Sequence, residues 1–132
     1  YFVTKDYLFI LGKDHYVTAY DMYLIFNEAI QYDLISEIIH KTSYEMVYTD
    51  QNGTQKSVSL STTNQYLDGN QKAPDKVSVI GGKTGTTNAA RNCLILLSKD
   101  VSGNPYISVI LSSAERGLLY TQMSDLLEEI EN

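Results

Sequence analysis

The chain has 132 residues, and its 10 basic and 16 acidic side chains give a formal net charge of −6. Hydrophobic residues make up 43% of the sequence and charged residues 20%, with 8 glycines and 2 prolines. These values exclude a disordered, collagen-like or coiled-coil chain. An acidic chain without a Lys/Arg cluster is also a poor candidate for binding nucleic acid, because that affinity comes mainly from neutralising phosphates.

The cysteine content and the length of the apolar runs exclude further classes of protein. Cys93 is the only cysteine, which excludes an intramolecular disulfide framework and a cysteine-based zinc site. No apolar run approaches the length of a membrane span. The segment Tyr1–Leu11 lacks the basic start and small-residue cleavage site of a signal peptide. We therefore expect either a cytosolic chain or one whose export signal lay upstream and was removed. Because the first residue is not methionine, we expect a processed or excised piece of a longer protein.

Two helices are predicted in the first third of the chain. Thr18 with Asp21 three residues later is typical of a capping box, and the first helix is expected to run to about Gln31. The second is expected over Leu34–His40, with Asp33 as its cap. Its apolar residues are expected to be buried: Leu34, Ile35, Ile38 and Ile39.

The next segment changes to the period of a β-hairpin. Residues Tyr44–Thr49 favour a strand, and Asn52-Gly53 is a strong turn signal because both residues tolerate positive φ. Lys56–Ser61 alternates apolar residues with serines, which predicts a half-buried strand. Thr62–Asp75 is expected to be a loop.

The last part of the chain predicts a sheet followed by a helix. A strand begins at Val77–Ile80, and Cys93–Leu97 is a continuous apolar strand expected to be covered on both faces. Asp100–Asn104 predicts a turn into the strand Tyr106–Leu111, and apolar residues recur at helical spacing over Leu118–Glu131. We therefore predict an α+β fold, an antiparallel sheet with the C-terminal helix packed on one face.

The stretch Lys83-Thr84-Gly85-Thr86 is the most informative for chemistry. It places an ammonium group and several hydroxyls on one strand edge, and Gly85 would let a ligand or another backbone approach closely. A lysine beside hydroxyls suits a carboxylate or another anion. Taken alone, the tripeptide Lys-Thr-Gly favours a glycine-rich strand end with a solvated lysine, because short motifs often match by chance.

A phosphate-binding loop is the competing interpretation of this stretch. Gly82-Lys83-Thr84 matches the end of that motif, but its first glycine should fall at position 77, which is Val77. A phosphate loop also opens a helix, whereas this chain soon enters the strand Cys93–Leu97. Both observations disfavour a nucleotide-hydrolysing enzyme.

The order of the motifs resembles the C-terminal part of low-molecular-weight penicillin-binding proteins, which are serine D-alanyl-D-alanine carboxypeptidases. The resemblance rests on Gly81–Ala90, two apolar strands, Ser112–Arg116 and the final helix, with Asp14–Met22 and Asn64–Leu67 upstream. It implies a β-lactamase/transpeptidase-like fold, with residues 1–132 forming a single partial domain.

Two departures from the family pattern concern the nucleophile. The family carries Ser-x-x-Lys and then Ser-x-Asn ahead of Lys-Thr-Gly. No serine precedes any lysine by three positions in this chain, and Ser102-Gly103-Asn104 follows Lys83 and is expected to be a hairpin turn. Arg91-Asn92 also stands where glycine and an aromatic residue would be more usual.

The resemblance implies acyl transfer on the D-Ala-D-Ala peptides of peptidoglycan, with β-lactams trapping the same serine. Lys83 would supply positive charge, the hydroxyls of Thr84 and Thr86 would hold the terminal carboxylate, and the Thr86 N–H would donate to the oxyanion. Gly85 completes the substrate-binding wall. The implied enzyme needs no metal or cofactor and acts in the cell envelope, outside the cytoplasm; alone, this chain would be inactive. The alternative is a non-catalytic peptidoglycan-binding or assembly module.

Other candidate residues favour structural roles. His15 and His40 lie in separate elements and are expected at the surface or at a cap, and Cys93 is expected to be a buried, inert thiol. Three acidic residues of the last helix suggest a solvated face: Glu128, Glu129 and Glu131. Three tyrosines are expected to pack beside the first helix: Tyr16, Tyr20 and Tyr23. A half-domain leaves apolar surface uncovered, so we expect a homodimer or larger assembly, with Tyr1–Leu11 reaching across.

Overall fold

The computed structural model describes residues 9–10 and 16–131. Three sheets are present among these residues, and all are antiparallel. The helices are α1 (Ala19–Ala29), α2 (Asp33–His40), α3 (Gln65–Asp68) and α4 (Arg116–Glu128), the last followed by a 3₁₀ turn (Glu129–Glu131). The strands are β1 (Phe9–Ile10), β2 (Tyr16–Val17), β3 (Ser43–Thr49), β4 (Gln55–Ser61), β5 (Ser78–Thr87), β6 (Arg91–Lys99) and β7 (Pro105–Ser113).

A three-stranded sheet in the order β5-β6-β7 is the centre of the fold. The central strand β6 is buried from Cys93 to Ser98, because side chains on both of its faces are covered. That is the reason its sequence is continuously apolar rather than alternating. The predicted apolar strand with two covered faces, and the antiparallel sheet itself, are thereby confirmed.

Two hydrophobic clusters lie on opposite faces of this sheet. Helix α4 covers one face, where Tyr120, Met123 and Leu127 are almost completely buried. Helix α1 covers the other face with Phe26, beside partly buried Ile39 of α2. Successive side chains of β6 and β7 alternate between these clusters, so both strands stabilise both layers. The prediction of a C-terminal helix on one face is confirmed.

The start of α1 follows its sequence signal closely. The Thr18 hydroxyl accepts a hydrogen bond of 3.1 Å from the Asp21 N–H, and the Asp21 carboxylate accepts one of 2.8 Å from the Thr18 N–H. This reciprocal pair satisfies two N–H groups that a helix start leaves without partners. The Asp21 carboxylate accepts hydrogen bonds from both the N–H and the hydroxyl of Thr18, and these hold the pKa of Asp21 below its usual value.

The two predicted hairpin turns have the same construction. Asp50 and Asp100 each accept hydrogen bonds at one carboxylate oxygen from two backbone N–H groups of the turn. Gly53 and Gly103 follow three residues later, with φ of 78° and 84°, a conformation that glycine adopts without strain. Ser102-Gly103-Asn104 is therefore part of a hairpin turn, as predicted.

Burial of the β3–β4 hairpin and of α2 differs from the prediction. Every residue of both hairpin strands is exposed, whereas β4 was predicted to be half-buried. Helix α2 has no buried residue: Leu34 and Ile38 are 67% and 56% exposed, and Ile39 alone packs against a core cluster. The prediction failed because amphipathic periodicity shows which face is apolar and not whether another element covers it. The helix also begins after Tyr32 without the predicted side-chain cap from Asp33.

One element was missed, and some predictions fall outside the described residues. The segment predicted as a loop contains the short helix α3, capped by the Asn64 side chain. His15, most of Tyr1–Leu11 and the side chain of Glu131 lie outside the described residues, although Phe9–Ile10 pairs with Tyr16–Val17 of the same chain. None of the helices in residues 16–131 is long and apolar enough to cross a bilayer.

Candidate active-site wall on strand β5

The Lys-Thr-Gly stretch lies in the middle of β5, an outer strand of the three-stranded sheet. Lys83 is opposite Ile95 and Gly85 is opposite Cys93 on β6. The backbone continues as a strand to Thr87 and does not turn into a helix at Thr84. A phosphate-binding loop requires that helix start, so the strand geometry removes the nucleotide-binding alternative.

The glycine that closely contacts another element lies just before the Lys-Thr-Gly motif and not within it. A Cβ on Gly81 would lie 2.6 Å from the Ile39 carbonyl oxygen, so this glycine lets α2 approach the strand. At Gly85 the only neighbour would be the Cys93 Cβ at 4.0 Å, an ordinary contact. The strand surface at Gly85 is therefore open, and the close approach of a ligand or another backbone there stays a prediction.

A second segment joins β5 at this point. The Thr63 and Thr84 hydroxyls hydrogen-bond to each other across 21 residues of sequence. Two α4 side chains fix the Thr63 carbonyl oxygen: Arg116 Nη2 donates at 3.1 Å and the Tyr120 hydroxyl at 3.2 Å. The Gln65 N–H donates to the same Tyr120 hydroxyl at 3.0 Å. Helix α4 thus holds the loop after the hairpin against the Lys-Thr-Gly strand.

These residues line a cavity of about 310 Å³ that contains two cationic side chains, Lys83 and Arg116. None of the carboxylates in residues 16–131 lines this cavity, and neither cation takes part in the ion pairs that these residues form. Thr63, Thr84 and Thr86 add three hydroxyls to the same wall. In a chain of net charge −6, this local excess of positive charge is typical of an anion-binding site.

The turn after Thr87 departs from ordinary strand geometry. Arg91 has φ of 57°, in the left-handed region that favours glycine. Asn92 follows it and connects the two outer strands, donating from Nδ2 to the Ser113 carbonyl at 3.2 Å and accepting from the Thr86 hydroxyl at 3.4 Å. The unusual Arg-Asn pair therefore still positions Thr86.

The loop residue Asn64 directly follows Thr63 and was noted in the sequence only as part of a resemblance. It is 1% exposed, and its Oδ1 accepts a hydrogen bond of 3.1 Å from the Tyr66 N–H. Its Nδ2 has no hydrogen-bond partner among the described residues. The buried amide therefore fixes the start of α3 and, through it, the position of Thr63.

Sequence reasoning placed Lys83, Thr84, Gly85 and Thr86 on one strand, and the fold brings them together as expected. It assigned no role to Thr63, Arg116 or Tyr120, which come from distant segments. Arg116 carried a weak signal, since only two arginines occur in the chain and this one ends the quoted Ser112–Arg116 stretch. No pattern in the sequence connects Thr63 to Thr84.

The remaining candidates have the structural roles that were predicted for them where they are described. Cys93 is buried, and desolvation raises the pKa of its thiol, which keeps it protonated and unreactive. His40 is exposed and contacts the Ser36 carbonyl one turn earlier. Tyr20 and Tyr23 are residues of α1 itself, with ring centres 6.0 Å apart, and the side chain of Tyr16 lies outside the described residues. No group of three or more metal-ligating side chains occurs in the part of the chain that the structure describes.

The antiparallel sheet with helices on both faces has the β-lactamase-like fold of DD-transpeptidases. A family model described as D-alanyl-D-alanine carboxypeptidase, of the S11 peptidases, matches residues 10–115. The chain therefore belongs to the S11 D-alanyl-D-alanine carboxypeptidase family. No curated protein matches it significantly.

Solved structures agree with this assignment of fold. A mutant of a Streptomyces DD-transpeptidase matches with a TM-score of 0.76 and 19% identity, over 89% of this chain and 43% of that one. A D-alanyl-D-alanine carboxypeptidase from Mycobacterium tuberculosis matches with a TM-score of 0.66 and 22% identity, over 91% of this chain and 42% of that one. The 132 residues thus span less than half the length of either structure.

Proposed function

We propose that this chain forms the Lys-Thr-Gly wall of the substrate cleft of a serine D-alanyl-D-alanine carboxypeptidase that acts on peptidoglycan stem peptides. The whole, residues 1–132, would be one part of that catalytic domain. The nucleophilic serine and its lysine base would come from a segment other than these residues, since no Ser-x-x-Lys is present. The proposal places the active protein in the cell envelope, where peptidoglycan is found.

The observation that carries the proposal is the pair of cations without carboxylate partners at the edge of β5. Lys83 and Arg116 line one cavity with the hydroxyls of Thr84 and Thr86. A C-terminal carboxylate is a small planar anion that two cations and adjacent hydroxyls can hold with charge-assisted hydrogen bonds. Family membership supports the same ligand, a peptide ending in D-Ala-D-Ala.

Acyl transfer would use this wall in two ways. Lys83 and the hydroxyls would fix the terminal carboxylate and so align the preceding peptide bond with the serine. The Thr86 N–H would donate to the oxyanion that forms when the serine attacks, together with the N–H of that serine. Water would then hydrolyse the acyl-enzyme and release the shortened peptide. β-Lactams would bind to the same wall. The position of their carboxylate relative to their reactive carbonyl resembles that of the peptide's terminal carboxylate relative to the carbonyl that the serine attacks.

A titration with a short peptide tests the carboxylate site without requiring catalysis. Acetyl-D-alanyl-D-alanine is added while amide shifts of the labelled chain are followed, and shifts are expected at Gly85 and Thr86. The C-terminal amide of the same peptide should bind at least about tenfold more weakly, because a charged hydrogen bond is lost. Lys83→Ala should weaken binding to a similar extent. Lys99→Ala is the control and should not weaken binding, because Lys99 is an exposed lysine at the last position of β6. Equal binding of acid and amide would disprove the carboxylate site.

The absence of Ser-x-x-Lys from this sequence supports a second candidate function, a non-catalytic module that recognises stem peptides or pairs with another chain. Both functions predict peptide binding, so the titration does not separate them. The sequence encoded directly upstream does: Ser-x-x-Lys followed by Ser-x-Asn would identify the missing half of an enzyme. An upstream region without those motifs would instead support the binding module.

A further inference from the structure

The turn between β5 and β6 carries a further cationic side chain beside the proposed carboxylate site. Arg91 is the first residue of β6 and lies directly opposite Thr87, the last residue of β5. The neighbouring pair, Thr86 and Asn92, lines the cavity of that site. Arg91 is exposed, and none of the ion pairs formed within residues 16–131 includes it. Its charge is therefore available to a ligand one residue beyond the cavity.

Arg91 occupies this position at a conformational cost. Its φ of 57° brings Cβ close to the backbone, whereas glycine adopts such a φ freely. The turn before it is held in place, since the Ala90 N–H donates to the Thr87 hydroxyl at 2.9 Å and Ala90 is fully buried. A long charged side chain in a conformation that suits glycine, at the rim of a candidate site, indicates that the side chain has a function there.

The proposed function fixes the direction of a bound peptide along β5. Its terminal carboxylate would lie at Lys83 and Thr84, and the carbonyl one residue earlier would accept from the Thr86 N–H. Moving upstream in the peptide therefore means moving forward along β5, which is an antiparallel arrangement. In the three-stranded sheet β5 pairs with β6 alone, so its other edge can accept such a strand. The part of the peptide upstream of the dipeptide would then reach the level of Thr87.

Arg91 can reach an acidic group of the peptide at that level. Residues directly opposite each other in neighbouring strands have their side chains on the same face of a sheet, so Thr87 and Arg91 share a face. Two strand spacings, about 9.6 Å, separate a peptide on the open edge from β6. An arginine and an acidic side chain of the peptide can together bridge this distance across the small Thr87. A guanidinium group binds a carboxylate with paired, charge-assisted hydrogen bonds.

We propose that Arg91 binds a second carboxylate of the peptide, upstream of the terminal dipeptide, and so selects acidic peptides. The proposal rests on the proposed function, because the terminal carboxylate site sets the position and direction of the peptide. It deepens that function by assigning the charge class of the substrate to a residue outside the Lys-Thr-Gly motif. The net charge of −6 makes the sign of the effect informative, since the chain as a whole repels an acidic peptide.

Two peptides of equal size that differ by one charge test the proposal on the full chain. Acetyl-L-glutamyl-D-alanyl-D-alanine and acetyl-L-glutaminyl-D-alanyl-D-alanine are titrated separately at low salt, and Kd is taken from amide shifts. The glutamyl peptide should bind about fivefold more tightly, as expected for an exposed ion pair of good geometry. Its shifts should extend to the amides of Asn88 and Arg91. The preference should disappear at about 1 M salt, because screening is then strong.

Three variants of Arg91 and one matched control separate charge from backbone conformation. Arg91→Ala should abolish the preference, whereas Arg91→Lys should keep about half of it, because the charge remains and the paired geometry is lost. Arg91→Gly should abolish the preference and also raise the urea midpoint, because glycine relieves the strained φ. Lys99→Ala is the control: it removes one positive charge at the other end of β6 and should keep the full preference.

The outcomes distinguish this proposal from the proposed function. Equal Kd for the two peptides would overturn the role of Arg91 and leave the terminal carboxylate site intact. A preference that survives Arg91→Ala, or one that Lys99→Ala also abolishes, would overturn it as well, since the selection would then come from another residue or from the overall field. A lower urea midpoint for Arg91→Gly would show that Arg91 serves the fold and would overturn the assignment. Failure of both peptides and of acetyl-D-alanyl-D-alanine to bind would reject the proposed function, and this proposal with it.

Discussion

The Tyr120 hydroxyl donates a hydrogen bond of 3.2 Å to the carbonyl oxygen of Thr63, 57 residues away in sequence. Tyr120 is 2% exposed and belongs to the core under α4, while Thr63 hydrogen-bonds to Thr84 on the Lys-Thr-Gly strand. A single buried phenol therefore couples the hydrophobic core to the wall of the candidate active site. Removal of its hydroxyl should affect both stability and ligand binding.

Replacing Tyr120 with phenylalanine keeps the ring and removes the two hydrogen bonds of its hydroxyl. These are the bond donated to the Thr63 carbonyl and the bond accepted from the Gln65 N–H. The Gln65 N–H loses its acceptor, so unfolding free energy should fall by about 1–2 kcal/mol. Peptide binding at β5 should weaken as well, because Thr63 is held less firmly. Urea unfolding and the peptide titration measure the two effects. Tyr32→Phe, at a tyrosine that is 59% exposed, should change neither by more than about 0.5 kcal/mol.

Gly81→Ala tests the close approach of α2 to β5. The new methyl would lie 2.6 Å from the Ile39 carbonyl oxygen, a backbone atom that cannot rotate away. We expect a loss of about 1–3 kcal/mol in unfolding free energy, since helix and strand must separate. Gly117→Ala should have the opposite sign: nothing lies within 4 Å there, and alanine in a helix is favoured by up to about 1 kcal/mol. A neutral Gly81→Ala would show that α2 is not anchored at this point.

Asp100 should make stability depend on pH in the acid range. Hydrogen bonds, chiefly from the Asn104 side chain and also from the turn backbone, hold the pKa of Asp100 below the ordinary aspartate value of 3.8. A lowered folded-state pKa means that the stabilisation is present above pH 3.8 and is lost as pH falls through the folded value. Asp100→Asn should therefore be less stable than the wild type at pH 7, with a difference that shrinks toward pH 2.

Urea midpoints at pH 7, 4 and 2 measure that difference for Asp100→Asn. The control is Asp125→Asn, an exposed acid of α4, which should follow the wild-type curve. A constant gap between Asp100→Asn and the wild type at all three pH values would mean that the turn depends on shape and not on the carboxylate charge.

The 132-residue chain should not form a covalent adduct with a labelled penicillin. A serine hydroxyl without an adjacent base is a weak nucleophile, and no serine here is part of Ser-x-x-Lys. Intact-mass spectrometry after incubation measures the adduct directly. A mass increase located on one serine would show that a catalytic centre exists within these residues.

The outer face of α1 should promote self-association. Leu24 and Ile25 are 46% and 56% exposed, and a cavity of about 250 Å³ lined mostly by apolar residues, Ile25 among them, lies between α1 and the sheet. Exposed apolar surface of this kind favours association. Light scattering should detect a dimer or larger assembly that Ile25→Glu shifts toward monomer. Asn27→Glu adds the same charge at an exposed polar position of the helix and should leave the assembly unchanged.

Much of the secondary structure followed from local signals in the sequence. Thr18 and Asp21 predicted the start of α1, and Asn52-Gly53 and Asp100–Asn104 predicted the two hairpin turns, because those preferences arise within a few residues. The continuous apolar run of β6 likewise predicted a strand with two covered faces. Lys83, Thr84, Gly85 and Thr86 were found together because they are consecutive in one strand.

Tertiary structure alone decided which apolar faces are covered and which distant residues complete the site. Leu34 and Ile38 have the periodicity of a buried helix face, yet burial depends on whether another element packs there, and periodicity carries no information about that. Thr63 and Arg116 reach β5 because α4 crosses the sheet and holds the loop after the hairpin. Such contacts are set by the packing of whole elements, so no local pattern could have predicted them. The Lys-Thr-Gly strand, in contrast, could be predicted from its own residues.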